Sequence, residues 1–258
     1  MVALLMMLTE HWMSRKEDDI PSIYHFEGSR GFRIVWLCEE LAIPYKLVFR
    51  PRDQMGSLMA LRAINPLMPM APVVRYGGQL LVESGAIADI LLAIHGKGRL
   101  IPPIGSTDFL FHTQWMHFAE GTALARMTSE RFVAMATGTE VDKLPKGYRA
   151  GSDNTVFAPI GSTAVLEYAS DFLGSHPHFG GAEFTAADIM MEYALRVAKL
   201  VVWADSNEFP HVADWRKRME SRAAYKRAKE AATPGPCDEY GIPVHSPHPF
   251  TRPQSANQ

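Results

Sequence analysis

Cysteine is scarce. The 258 residues hold two, Cys38 and Cys237, with no C-x-x-C or metal-ligand spacing. That argues against a disulfide framework and for a reducing cytoplasm. An excess of one charge is missing too. Lys and Arg number 26 against 28 Asp and Glu, a net charge of −2, which leaves no basic footprint for nucleic acid and no polybasic patch for a membrane. The apolar stretch 2–8 is far too short to span a bilayer and lacks both a basic flank and a small-residue cleavage site. Residues 1–19 therefore read as an N-terminal extension, not a targeting signal. The ten histidines form no H-E-x-x-H or comparable array, so no metal site is expected.

What is present fits a globular protein: 47% hydrophobic and 21% charged residues, in a chain long enough for two small domains. Residues 20–26 read as a first strand, 27–31 as a turn, and a helix follows with Ile34, Leu37, Cys38 and Leu41 on one face. Pro44 stops that helix. Residues 45–49 give a second strand, hence a β-α-β unit with a parallel pair. A loop and helix over 52–64 lead through Asn65-Pro66 into a hairpin, 71–76 and 79–82, turned by Gly77-Gly78. A helix opens at Glu83-Ser84 with Ile87, Ile90, Leu91 and Ile94 as its apolar face. The order β-α-β-α-β-β-α is that of a thioredoxin-like domain over 20–97. Residues 98–107, with Pro102, Pro103 and Gly105, form a linker.

Strand signals then vanish, and 108–232 reads as an all-α domain. Helices are expected over 108–136 and 154–173. A further helix opens at the capping box Thr185-Ala-Ala-Asp188, and a last one runs over 210–231. The proline-rich segment 233–258 is a C-terminal tail.

The hairpin and the helix after it have a chemical use. A helix N-terminus holds a small carboxylate, and Glu83 beside it could accept from an ammonium group. Together they suit the α-amino-acid end of a γ-glutamyl peptide. A proline preceded by a cis peptide, at Pro72, would turn the Ala71 N–H and C=O outward to pair with a short extended peptide. A plain hairpin with Ser84 as N-cap is the simpler alternative.

Here Pro72 and Glu83-Ser84-Gly85-Ala86-Ile87 resemble the glutathione transferase family. The turn and helix Ser29-Arg-Gly-Phe-Arg-Ile-Val-Trp-Leu-Cys-Glu-Glu-Leu41, Asn65-Pro66, Phe184-Thr-Ala-Ala-Asp188 and the Trp215…Tyr225 helix extend the resemblance over most of 22–232. Gly98-Arg-Leu-Ile-Pro-Pro103 and Gln114-Trp-Met-His-Phe-Ala-Glu120 are similar to a bacterial and fungal branch related to a yeast glutathione transferase. The run Asn65–Pro72 looks one residue longer than the family's, with an additional proline at Pro69.

The resemblance implies a thioredoxin-like α/β domain followed by an all-α domain, glutathione as co-substrate, a small hydrophobic electrophile, a homodimer and a cytoplasmic location. It also implies attack of a glutathione thiolate on the electrophile to give a thioether. A free cysteine thiol has a pKa of about 8.5, and lowering it by one or two units takes roughly 1.4–2.8 kcal/mol. One hydroxyl donor and a helix N-terminus can supply that. Two hydroxyls compete: Ser29, in the turn before the first helix, and Tyr24, on the first strand. Ser29 is preferred. Arg30 and Arg33 flank the turn and could raise its potential, or could simply be solvated or paired. Ala71, Pro72, Glu83 and Ser84 would position the tripeptide. Trp115, His117, Phe118, Met127 and Trp203 are candidates for the electrophile pocket, although each also fits a core position. Two other functions stay open: glutathione-dependent ether or halide cleavage, and a non-catalytic protein that binds hydrophobic ligands.

Overall fold

The structure, a computed structural model, describes residues 19–139, 161–202 and 208–237. Residues 1–18 of the extension, the first part of the helix expected over 154–173, Trp203 and the tail beyond 237 lie outside the described residues. The chain divides into two compact units, one of 19–95 with 223–235 and the other of 96–222.

In the first unit β1 (Ser22–Tyr24), β2 (Lys46–Val48), β3 (Val73–Tyr76) and β4 (Gln79–Leu81) form a mixed sheet in the order β2-β1-β3-β4. β1 and β2 are parallel, with Ile23 opposite Leu47, because the helix α1 (Gly31–Leu41) carries the chain back between them. β3 is antiparallel to β1 and to β4. Gly77 and Gly78 stand at φ 55° and 74°, the left-handed geometry of a two-residue hairpin loop. α2 (Gln54–Ile64) starts at Asp53, whose Oδ1 accepts the Gly56 N–H at 2.8 Å. α3 (Ser84–Leu91) follows β4. This is the thioredoxin-like β-α-β-α-β-β-α order expected from the sequence.

Two local expectations change. The apolar face of α3 does not reach Ile94, which is 55% exposed. The helix widens into a π turn, Leu92–Gly96, whose extra residue per turn rotates the buried face so that Leu92 points inward instead. And α1 is not amphipathic: Gly31 through Cys38 are all buried. The sheet and α3 take one side. The other is covered by α9 (Ala223–Ala232), whose Tyr225 meets Trp36 and Phe32 edge-on, with ring centroids 4.9 and 5.2 Å apart. Arg227 ties the pair, its Nε donating to Glu39 Oε2 at 2.6 Å.

The single helix expected over 210–231 is thus two. α8 (Pro210–Ser221) ends at Arg222, whose ψ of 135° breaks the helix, and α9 restarts as part of the first unit.

The second unit is helical: α4 (Thr107–Phe118), α5 (Ala125–Thr137), α6 (Ser162–Ser175), α7 (Ala186–Val202) and α8. The helix expected over 108–136 is continuous but widens into a π turn at Ala119–Leu124. α7 opens with the predicted capping box: Asp188 Oδ2 accepts the Thr185 N–H at 2.9 Å, and Thr185 Oγ1 accepts the Ala187 N–H at 3.2 Å. Oδ1 of the same carboxylate accepts from the Phe179 N–H at 3.0 Å and from Trp215 Nε1 at 2.8 Å. Among the described residues no helix is long and apolar enough to cross a membrane.

Candidate active site

One cleft of the first unit gathers residues that lie far apart in sequence. Arg30, Met68, Met70, Ala71, Pro72, Val82, Glu83 and Ser84 line it. The Ala71–Pro72 peptide is cis. Ser84 is the first residue of α3, and Glu83 caps that helix from φ 69°, a backbone conformation that disfavours any residue with a side chain. Glu83 is exposed and Ser84 buried. A peptide-sized anion arriving here meets the positive end of α3 beside a carboxylate.

Beneath the cleft Arg33 is fully buried, and its Nη1 donates to Ser84 Oγ at 3.1 Å. It is neither solvated nor on the rim of the turn, because α1 is enclosed on both sides. A substrate would meet Arg33 only through the Ser84 hydroxyl and the field of its charge. Arg30, half-buried, does line the cleft.

Ser29 is 3% exposed and sits at the start of α1. Its Oγ accepts the Gly31 N–H at 3.2 Å, which ties the turn to the first residue of α1 although Arg30, not Ser29, is the N-cap residue, and the same oxygen lies 3.1 Å from Nδ1 of His25. The His25 ring is fully buried, packs edge-on against Phe49 at 5.3 Å, and places Nε2 2.8 Å from the carbonyl oxygen of Ala232. Burial pulls the ring down to about 4, against a smaller upward pull from that carbonyl. Tyr24 points elsewhere: its ring packs on the small core of Leu61, Ala71 and Val73 with Phe26, Leu58, Ile64 and Val82. Cys38 is core, its thiol pushed up to about 12 by burial and then by Glu39.

Of the residues expected around an electrophile, the four that are described, Trp115, His117, Phe118 and Met127, do not share one exposed surface. Trp115 and Met127 have no exposed surface and are core, not pocket wall. Trp115 lies among Phe118, Tyr168, Phe172 and Phe179, with ring centroids 4.6–5.2 Å apart, because its helix face turns toward α6 and the start of α7. Phe118 is half-buried on that cluster and His117 is exposed. Met68, Met70 and Val82 of the cleft were missed by the sequence reading; Met68 and Met70 flank Pro69 just ahead of Pro72, and that adjacency was the available signal. His25 was missed as well. Nothing in its sequence context distinguishes a histidine at a strand end from any other.

The chain has known relatives. Residues 23–99 match the family described as "Glutathione S-transferase, N-terminal domain". The chain is 23% identical to glutathione S-transferase 3 of Schizosaccharomyces pombe over 237 residues, 90% of this chain and 96% of that protein. It is likewise 23% identical to glutathione S-transferase 1 of Saccharomyces cerevisiae, covering 83% of this chain and 95% of that one. A crystal structure of a glutathione S-transferase from Actinobacillus pleuropneumoniae superposes with a TM-score of 0.64 at 22% identity, over 83% of this chain and 93% of that one. Residues 23–99 thus match a glutathione S-transferase N-terminal domain, and the chain as a whole is similar to glutathione S-transferases over most of its length.

Proposed function

We propose that the chain activates the thiol of glutathione as a thiolate and directs it at a hydrophobic electrophile, forming a thioether by addition or displacement. The observation that carries this reading is the convergence of Ala71, Pro72, Glu83, Ser84 and Arg30 on one cleft at the N-terminus of α3. The γ-glutamyl carboxylate would sit on the α3 N-terminus and Ser84, with its ammonium on Glu83. The cysteinyl main chain would pair with the Ala71 backbone, leaving the thiol at the Ser29 turn. Ser29 is chosen over Tyr24 because the tyrosine ring is occupied in packing. Ionisation and positioning of the nucleophile are where such an enzyme gains rate. A homodimer and a cytoplasmic location go with this reading.

Ultraviolet absorbance of the bound glutathione thiolate, titrated against pH, tests it. A thiol pKa depressed in the wild type and in Tyr24→Phe but restored toward its free value in Ser29→Ala is the expected result. Loss confined to Tyr24→Phe would transfer the role to the strand. Absence of any glutathione binding would leave only the reading as a ligand-binding protein.

A further inference from the structure

The Ser29 hydroxyl has one proton, and the geometry around it shows where that proton points. The Ala232 carbonyl can only accept, so His25 Nε2, 2.8 Å away, carries the ring hydrogen. A neutral imidazole with hydrogen on Nε2 has a bare lone pair on Nδ1. The contact of 3.1 Å between Nδ1 and Ser29 Oγ is therefore a hydrogen bond that the serine donates. Both ends of the pair are buried, and the Gly31 N–H fills a lone pair on the serine oxygen. The site is also built around the pair. A Cβ on Gly31 would fall 2.4 Å from Nδ1 and 3.2 Å from Ser29 Oγ, so only glycine at the first position of α1 admits the contact. In the free chain, then, the hydroxyl assigned to the thiolate is already committed to a different acceptor.

We propose that His25 is a positioning residue that holds the Ser29 proton while the site lacks a thiolate and releases it when a thiolate forms. This rests on the assignment of Ser29 as the thiol-activating donor. The thiol S–H bond breaks and its proton leaves to solvent. The Ser29 O–H then turns from Nδ1 to the sulfur anion, and His25 stays neutral throughout. A charge-assisted bond to the thiolate outweighs a neutral O–H···N bond, so the turn goes to completion once the anion exists. It leaves Nδ1 as a buried acceptor without a donor, and that cost opposes ionisation. His25 thus keeps the hydroxyl ordered in the empty site and makes the bound thiol less acidic than Ser29 alone would.

The test is again the pKa of bound glutathione read by thiolate absorbance. His25→Phe keeps a ring against Phe49 but removes the competing acceptor, and should lower the bound thiol pKa by about one unit, an effect opposite in sign to that of a damaged site. His25→Asn, whose side-chain oxygen can stand near the Nδ1 position, should return the pKa toward the wild type. In Ser29→Ala the His25→Phe change should have no further effect. A bound thiol pKa unchanged or raised in folded His25→Phe overturns the proposal. If Ser29→Ala itself leaves the pKa where it was, the assignment of Ser29 fails first, and the two failures are distinguishable. A second measurement needs no variant. In protein labelled with 15N-histidine, the Nδ1 resonance should move from a hydrogen-bonded to an unbonded acceptor on adding glutathione at pH 8, and should not move with S-methylglutathione. A shift to protonated Nδ1 would instead make His25 the proton acceptor and refute the proposal, as would no shift.

Discussion

Replacing Asp188 by alanine should be among the most destabilising single changes in the helical unit. The carboxylate is fully buried and accepts three protein donors: the Phe179 N–H, the Thr185 N–H and the Trp215 indole N–H. Alanine orphans all three at once. A buried donor left unpaired costs about 1–3 kcal/mol, so the loss is at least ~3 kcal/mol, against a typical domain stability of 5–15 kcal/mol. Trp215→Phe removes one donor together with its need for a partner, and leaves the other two bonds in place. It should cost only about 1 kcal/mol beyond the small change in packing. Asp188→Asn keeps an oxygen for two donors but turns an amide toward the third, and should fall between them. Urea unfolding followed by tryptophan fluorescence compares the series at constant m-value. The reasoning fails if Asp188→Ala lies within 1 kcal/mol of the wild type, or if Trp215→Phe is the more damaging change.

Acid should weaken the first unit through His25. Its folded pKa of about 4 lies below the ordinary 6.5, so the unfolded chain binds the extra proton. The contribution is intact above about pH 6.5 and is lost as pH falls toward 4, amounting to ~3 kcal/mol, and the slope of urea midpoint against pH should flatten in His25→Phe. His112, lowered to about 4 chiefly by burial, gives the helical unit a slope of the same sign. At Glu83, held at φ 69°, glycine should be more stable than alanine by about 1 kcal/mol in thermal unfolding, while both lose glutathione affinity; equal stabilities would deny that the backbone there is strained. Gly31→Ala should lower the melting temperature and separate Ser29 from His25, and a variant as stable as the wild type would show that the close approach is not required.

The hairpin was legible because a two-residue loop closing antiparallel strands needs positive φ, which Gly77-Gly78 adopts without steric cost, and the capping box because the Thr185 and Asp188 side chains satisfy backbone N–H groups within four positions of one another. Helix periodicity found the buried face of α1 at Ile34, Leu37 and Cys38. It could not find that Val35 and Trp36 are buried too, since what covers them arrives some 190 residues later. Arg33 shows the same limit: charge suggests a surface, and only the tertiary enclosure of α1 places the guanidinium beneath Ser84. Trp115 was readable as apolar but not as core or cleft, because a helix with little amphipathic contrast leaves its rotation undetermined. In the site, residues joined by sequence motif were found, and the Ser29–His25 contact, which depends on where two backbones meet, was not.

The position of α9 has a consequence for how the molecule is made. The surface of α1 that presents Trp36 and Phe32, and the carbonyl that fixes the tautomer of His25, are completed by residues 223–232. A ribosome that has just released the thioredoxin-like segment has therefore synthesised the whole cleft but not the helix that closes the back of it. Until α9 emerges, two large aromatic rings stand bare and the imidazole is free to carry its hydrogen on either nitrogen. A fragment ending at residue 97 should inherit that condition permanently, as a sticky domain whose serine has no settled direction for its proton.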